Sequence, residues 1–189
     1  MKVCLVTAEY APQQGGVGDY TRELAAALRQ RGVEAIVLTG GSAASEDASS
    51  PVPVQRRIGG WGWWLWRDLE RALRVLAPDV VHIQYQAAAY GLHPAINLWP
   101  RFSPWRRATV VTFHDLKVPY LFPKAGPLRF RAVLELARAA ARAIVTNAED
   151  QATLALLLQR PPALIPIGSN IHPQPPPGYD RSARRAAAG

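Results

Sequence analysis

Short apolar runs alternate with longer stretches of helical periodicity along the chain, and this alternation restricts its fold more than any other feature. Residues 3–8 form an unbroken apolar run, as expected for a strand that is buried on both faces of a sheet. A glycine-containing loop leads to residues 17–31, where apolar side chains recur at helical spacing until Gly32, a typical residue after a helix end. Such alternation is typical of parallel strands that are joined by crossover helices.

The same pattern continues through most of the chain. Proline favours an edge position for the strand 52–58, and the stretch 40–53 is a predicted loop because it has few large side chains. We therefore predict an α/β fold, a Rossmann-like doubly wound open sheet that is mainly parallel, with helices on both faces. The further predicted strands are 33–38, 80–84, 109–113, 143–146 and 164–167, and the further helices are one that ends near residue 77, then 95–99, 127–142 and 149–159.

Composition narrows the class of protein. The single cysteine, Cys4, excludes an internal disulfide and a four-thiolate zinc site, and its apolar surroundings favour a place in the core. The formal net charge of +8 favours anionic partners, although nucleic acid is not favoured because no recognition motif supports it. The apolar runs are interrupted by arginine or too short for a membrane span or a signal peptide, which predicts an intracellular protein.

A glycine-rich segment, residues 15–19, joins the first strand to the first helix. Glycines before a helix let the backbone approach a ligand, and free N–H groups at a helix start favour phosphate. The dinucleotide fingerprint does not fit, because Thr21 takes the third glycine position and no acidic residue closes the second strand. A turn that merely needs glycine conformations is the alternative interpretation.

Polar side chains close two later strands. Gln84 and Tyr85 end one of them, and His114 and Asp115 end another. Ligands of open parallel sheets lie beyond the carboxyl ends of the strands, so these four residues should gather near the glycine loop. His82 lies within its strand and is predicted to be a hydrogen-bonded core group, and a structural role is also open for His114. No histidine has a metal-ligand spacing with a neighbour, so we predict no metal site.

Four tryptophans, Trp61, Trp63, Trp64 and Trp66, crowd the start of the helix that ends near residue 77. Helical geometry projects Trp63 away from the core, on the same side as Arg67. Tryptophan beside arginine is typical of a helix at the headgroup region of a bilayer. Packing of the helix start on the sheet or on a neighbouring domain is the alternative.

Four segments, in chain order, resemble the N-terminal half of a GT-B glycosyltransferase of the family 4-like, retaining group. They are residues 9–21 with the glycine loop, 78–82, 112–115 and 165–170, so that the resemblance covers residue 2 to about 171. It implies that residues 1–171 form the acceptor-binding, Rossmann-like domain. Residues 172–189 would then be a proline-rich linker and the start of a missing C-terminal donor-binding domain, which a split partner chain could also supply.

The resemblance also implies roles for the strand ends and the loop. The loop would contact the diphosphate of a nucleotide-diphosphate sugar, the co-substrate, and His114 would be the catalytic residue beside the donor sugar. No cofactor and no metal are implied. Gln14 stands where starch and glycogen synthases of this fold carry lysine, which disfavours an α-glucan synthase. The donor-phosphate residues would be Gly15, Gly16, Val17 and Gly18, and the acceptor-binding candidates are Tyr10, Asp19, Tyr20, Gln84, Tyr85 and Asp115.

The implied activity is transfer of a sugar, with retention, to an unidentified acceptor. Lipid-linked and saccharide acceptors are both hypotheses, and the tryptophan-rich helix start makes an anionic membrane surface a candidate partner. We expect a cytoplasmic location, at the membrane face if that surface is used, and little transfer by this domain alone because half of the cleft is missing. The alternative is a non-catalytic, single-domain protein that binds a nucleotide or another anion.

Overall fold

A computed structural model describes residues 1–41, 50–116, 126–168, 179–180, 182 and 185–186. The strands are β1 (Lys2–Thr7), β2 (Glu34–Gly40), β3 (Val54–Ile58), β4 (Val80–Gln86), β5 (Thr109–Asp115), β6 (Arg142–Val145) and β7 (Ala163–Leu164). The helices are α1 (Gly16–Gln30), α2 (Leu65–Leu76), α3 (Ala95–Phe102), α4 (Gly126–Ala139) and α5 (Ala148–Ala155), with a 3₁₀ helix at Pro104–Ala108.

These strands form one sheet in the order β3-β2-β1-β4-β5-β6-β7, and every described pair is parallel. Alternate residues of β1 point to opposite faces. Cys4 and Val6 join a large core with buried residues of α2, α3, α4 and α5, whereas Val3 and Leu5 join a smaller core with Ala25 of α1. The predicted Rossmann-like sheet with helices on both faces is confirmed, and the double burial explains the unbroken apolar run.

The edge position of β3 and the core position of Cys4 are also confirmed. β3 pairs only with β2 among the described strands. Cys4 is fully buried, and desolvation raises the pKa of its thiol to about 12, so that the side chain packs as a neutral apolar group. Most of the predicted loop 40–53 and of the predicted linker and domain start lies outside the described residues.

Most predicted boundaries differ from the structure by one or two residues, and four were further off. α3 extends to Phe102 rather than ending at residue 99. α4 ends at Ala139 rather than at residue 142, because the N–H of Ala141 donates to the carbonyl of Thr109 at 2.8 Å and draws the chain into the sheet. α5 ends at Ala155, four residues early. β7 has only two residues, because β6 ends at Val145, whose carbonyl accepts the last hydrogen bond, at 2.9 Å, from the N–H of Ile165.

Candidate functional site

The central strands end together along one edge of the sheet, which is formed by the carboxyl ends of the strands and is distinct from the edge strand β3. Thr7 at the end of β1 is paired with Gln84 of β4, which is paired in turn with Thr112 of β5. The chain leaves β1 at this edge, passes through the glycine loop and enters α1 there. The ring of Tyr20, in the first turns of α1, lies edge-on to the ring of His114 with the centroids 4.8 Å apart. The glycine loop and the end of β5 therefore border the same edge.

The N-terminus of α1 is not capped by a side chain. Gly15 is the N-cap residue and accepts the first helical hydrogen bond, at 3.1 Å, from the N–H of Asp19. The N–H groups of Gly16, Val17 and Gly18 precede that bond and receive no side-chain cap. Together with the helix dipole they form an electropositive end that can bind an anion.

The three glycines of the loop differ in their surroundings. A methyl group on Gly18 would lie 3.0 Å from the carbonyl oxygen of Glu9, and one on Gly15 would overlap the Glu9 carboxylate. Gly16 is exposed and has no atom within 4 Å of the corresponding position. Packing against backbone thus explains Gly18, whereas the Glu9 side chain beside Gly15 is flexible and Gly16 presents its backbone to open space. Glu9 was not among the predicted site residues, although its place directly after a strand could have indicated it.

His114 is held by Gln84. Its Nε2 lies 3.0 Å from the amide oxygen of Gln84 and is the donor in this arrangement, which leaves Nδ1 as an acceptor. Burial lowers the pKa of His114 to about 4, so the imidazole is neutral at pH 7. Gln84 is fully buried, and its Nε2 has no hydrogen-bond partner among the described residues.

His82 lies on β4 two residues before Gln84, so its side chain is on the same face of the sheet but farther from the carboxyl end of the strand. Its Nε2 is 2.8 Å from Oγ1 of Thr112. Burial, with a smaller contribution from His114, lowers the pKa of His82 to about 4. The predicted hydrogen bond of His82 is confirmed, and its side chain is half-buried rather than fully in the core.

The acceptor-binding candidates do not all come together. Tyr20 and Gln84 lie against His114, and Asp19 is exposed on the first turn of α1. Tyr10 is buried in the smaller core, where its hydroxyl oxygen is 2.9 Å from Oγ of Ser50. The start of α1 and the end of β5 border a crevice at the carboxyl ends of the strands. Tyr20 lies at its rim, Gln84 is buried beneath His114, and Tyr10 lies elsewhere.

Tyr85 lies on the opposite face of the sheet from its neighbour Gln84. Its hydroxyl oxygen accepts a hydrogen bond of 2.8 Å from Nδ2 of Asn97, and the ring stacks on Tyr90. There it lines a mainly apolar cavity of about 240 Å³ between β4, α3 and α4. Asp115 ends β5 in a half-buried position. The structure does not bring Tyr85 to the crevice that His114 borders.

Arg56 of β3 holds the loop between β1 and α1, a role that the sequence did not indicate. Its guanidinium donates to the carbonyl of Ala11 and, at 3.1 Å, to the carbonyl of Gly40 at the end of β2. The loop is thereby tied to the neighbouring strand. β3 carries two adjacent arginines, Arg56 and Arg57, and the sequence did not indicate which of them reaches the loop.

The carboxyl-end edge of the sheet therefore offers two kinds of binding group. Backbone amides at the start of α1 can hold an anionic group, and the neutral imidazole of His114 can form a hydrogen bond with an uncharged hydroxyl. Within the described ranges, no three His, Cys, Asp or Glu side chains cluster closely enough to hold a metal ion. A described helix that is both long and apolar enough to cross a membrane is also not found.

Comparison with known proteins gives a family and a fold. The model of Glycosyltransferase Family 4 matches residues 14–172. Among solved structures, sucrose-phosphate synthase from Thermosynechococcus elongatus is similar over 90% of this chain, with a TM-score of 0.66 and 17% sequence identity. The chain spans 49% of the length of that protein, and at this identity the likeness concerns the fold. No curated protein sequence matches.

Proposed function

The chain belongs to glycosyltransferase family 4, and from this premise we propose that it is the acceptor-binding, N-terminal domain of a GT-B enzyme that transfers a sugar, with retention, from a nucleotide-diphosphate sugar. The observation that carries the proposal is the uncapped start of α1 next to the ring of His114, at the open edge of the sheet. An anion site and a neutral hydrogen-bonding group side by side suit a substrate that joins a diphosphate to a sugar.

The diphosphate would bind at the start of α1. The N–H groups of Gly16, Val17 and Gly18 point out of the helix end, and the absence of a side chain on Gly16 lets phosphate oxygens approach the backbone. Negative charge grows on the diphosphate as it leaves the sugar. Fixed amide dipoles that face this charge lower the barrier without reorganisation.

His114 would orient the donor sugar. The imidazole is fixed by its hydrogen bond to Gln84 and by the edge of the Tyr20 ring. Because burial keeps the pKa of His114 low, the group is a neutral hydrogen-bond partner for a sugar hydroxyl rather than a proton donor at pH 7. The acceptor would lie on the same rim, near Asp19, Tyr20 and Asp115.

The other side of the cleft would come from a second α/β domain, in the same polypeptide or in a partner chain. This chain has no pair of glutamates eight residues apart of the kind that family members carry in their donor-binding domain. The flanking coding sequence tests the point: we expect a second α/β domain with such a pair. A flanking region that encodes only unrelated proteins would favour a non-catalytic nucleotide-binding protein instead.

Substitution of His114 tests its role in the two-domain enzyme. With a panel of nucleotide-diphosphate sugars, His114→Ala is expected to lower kcat on the order of a hundredfold, since a hydrogen bond at the reacting sugar is lost. The His93→Ala variant removes a histidine from outside the crevice and should keep kcat within about twofold of the parent. Equal turnover of the parent and the His114→Ala variant would refute the assigned role.

A further inference from the structure

Three large apolar side chains lie exposed together at the start of α2 and the end of α3. Trp63 is 57% exposed, Trp64 is 73% exposed and Phe102 is 65% exposed. Trp66 connects Trp63 to Phe102, since its ring centroid lies 6.0 Å from that of Trp63 and 5.5 Å from that of Phe102, and Trp64 follows Trp63 directly in the chain. A hydrogen bond of 2.8 Å from Nε1 of Trp66 to the carbonyl of Ala95 anchors this ring between the helices. The rings form one apolar patch, which marks an interaction site.

The exposed side of α2 continues the patch with positive charge. Arg67, Arg71 and Arg74 recur there at helical spacing. The guanidinium of Arg67 lies 5.1 Å from the ring centroid of Trp64 and pairs with Asp68 at 3.0 Å. Arg71 and Arg74 form no ion pair with any residue that the structure describes.

The acidic residues of α2 are turned toward other partners. Asp68 accepts a hydrogen bond of 3.0 Å from the N–H of Gly59. Glu70 points into the contact with α3, where its Oε1 accepts hydrogen bonds from Nε1 of Trp99 at 3.1 Å and from Oγ of Ser103 at 2.6 Å. The outward side of the helix therefore carries aromatic rings and a net positive charge.

We propose that this tryptophan–arginine surface docks on an anionic lipid bilayer. Indole rings prefer the headgroup level of a membrane, and arginines near that level are attracted by anionic lipids. Arginine also lays its apolar stem along hydrocarbon while its charge stays at the headgroups. The surface consists of Trp63, Trp64, Phe102, Arg67, Arg71 and Arg74.

The position of the surface relates it to the crevice. α2 follows the carboxyl end of β3, so its aromatic end lies at the same edge of the sheet as His114. Trp61, just before α2, has its ring centroid 4.9 Å from that of Tyr90, and the hydroxyl of Tyr90 donates to the carbonyl of Gln84 at 3.2 Å. α2 packs on the face of the sheet that carries Cys4 and Val6, whereas His114 lies on the face of α1. A docked bilayer would therefore reach the crevice around the carboxyl ends of the strands and present a lipid-borne acceptor to it from there. This statement about the acceptor rests on the proposed function, whereas docking itself does not.

Vesicle co-sedimentation tests the docking without any transfer reaction. The chain is expected to bind vesicles that contain phosphatidylglycerol and to bind pure phosphatidylcholine vesicles much more weakly. The variant with Arg71→Gln and Arg74→Gln should lose roughly thirtyfold in partitioning to the anionic vesicles at low salt. Each arginine near an anionic membrane surface strengthens binding about fivefold, and the two factors multiply. The variant with Trp63→Ser and Trp64→Ser should lose on the order of tenfold.

Matched variants separate this surface from general charge and apolarity. Arg138→Gln with Arg160→Gln removes the same charge from a groove at the amino ends of β5 and β6, and Leu156→Ser removes a side chain that is 87% exposed just after α5. Both controls should keep partitioning within about twofold. Three results would overturn the proposal. They are an equal loss of vesicle binding in the arginine control, equal binding to neutral and anionic vesicles, and self-association through the tryptophans in place of vesicle binding. If vesicle binding fails in one of these ways but the two-domain enzyme still transfers sugar to an acceptor in free solution, the proposed function stands and only the docking proposal is lost.

Discussion

At the scale of single residues, glycine serves two purposes within four positions of the chain. Gly18 lets the first turn of α1 pack on the backbone after β1, since any side chain would meet the carbonyl oxygen of Glu9. Gly16 has no such neighbour, so packing against the described residues does not account for its missing side chain. The two positions can therefore be used to separate packing from binding.

Alanine substitutions at these two positions should affect different properties, the first stability and the second the use of the donor. Gly18→Ala is expected to lower the free energy of unfolding by about 1–3 kcal/mol through overpacking, partly offset by the better helix propensity of alanine. Gly16→Ala should leave stability unchanged and lower kcat/KM for the donor about tenfold, because its methyl group obstructs the phosphate. Thermal denaturation and steady-state kinetics on the same preparations measure both. Unchanged donor kinetics in Gly16→Ala would remove the diphosphate from the start of α1.

At the scale of elements, the loop between β1 and α1 takes its shape from a strand two places along the chain. Arg56 of β3 joins the carbonyls of Ala11 and Gly40, which belong to different connections of the sheet. A planar guanidinium can donate to two carbonyls at once, whereas a lysine ammonium on a flexible stem cannot reproduce that fork.

Arg56→Lys should therefore loosen the loop although the charge is kept. We expect a loss of about 1–2 kcal/mol in stability and faster hydrogen exchange of the amides in residues 11–16. The neighbouring Arg57 is a matched control, since it is exposed and its Nε donates to the side chain of Gln55 at 2.9 Å rather than to the loop. Exchange in the loop that is equally fast in Arg57→Lys and Arg56→Lys would show that the tie is not specific.

At the scale of the whole molecule, two neutral histidines lie inside the same face of the sheet. His82 and His114 have pKa values lowered to about 4 by burial. The unfolded chain protonates these groups near pH 6.5, so between pH 6.5 and 4 the unfolded state binds more protons than the folded state. The contribution of the two neutral histidines to the free energy of unfolding is therefore fully present above pH 6.5 and is lost as the pH falls from 6.5 towards 4.

Thermal denaturation between pH 7 and pH 5 measures this coupling above the range in which most carboxylates titrate. The free energy of unfolding should fall by up to about 1.4 kcal/mol per pH unit for each histidine. His82→Gln combined with His114→Gln should flatten the slope, while His93→Gln should retain it. A melting temperature of the parent that does not change over this interval would contradict the buried, neutral state of the pair.

Much of the fold could be predicted from local pattern. Alternation of strands and helices predicts a parallel sheet, and the carboxyl ends of such strands share one edge, which is why the glycine loop and His114 could be expected to be neighbours. Strand length was less predictable: the N–H of Ile165 still donates to the carbonyl of Val145 at 2.9 Å, but β6 ends there and leaves residues 166–167 without a paired strand. Pairing is a property of two segments, and composition describes only one.

By itself, the sequence determined the class of fold, the open edge and the residue types available there, because periodicity and strand polarity are local properties of the chain. Only the tertiary structure decided which face each side chain joins. Gln84 and Tyr85 are adjacent in sequence, yet one holds His114 beside α1 and the other is bonded to Asn97 beneath α3. The reach of Arg56 to Ala11 and the exposure of Trp64 were likewise settled by strand order and helix placement, which bring together segments that are far apart in the chain.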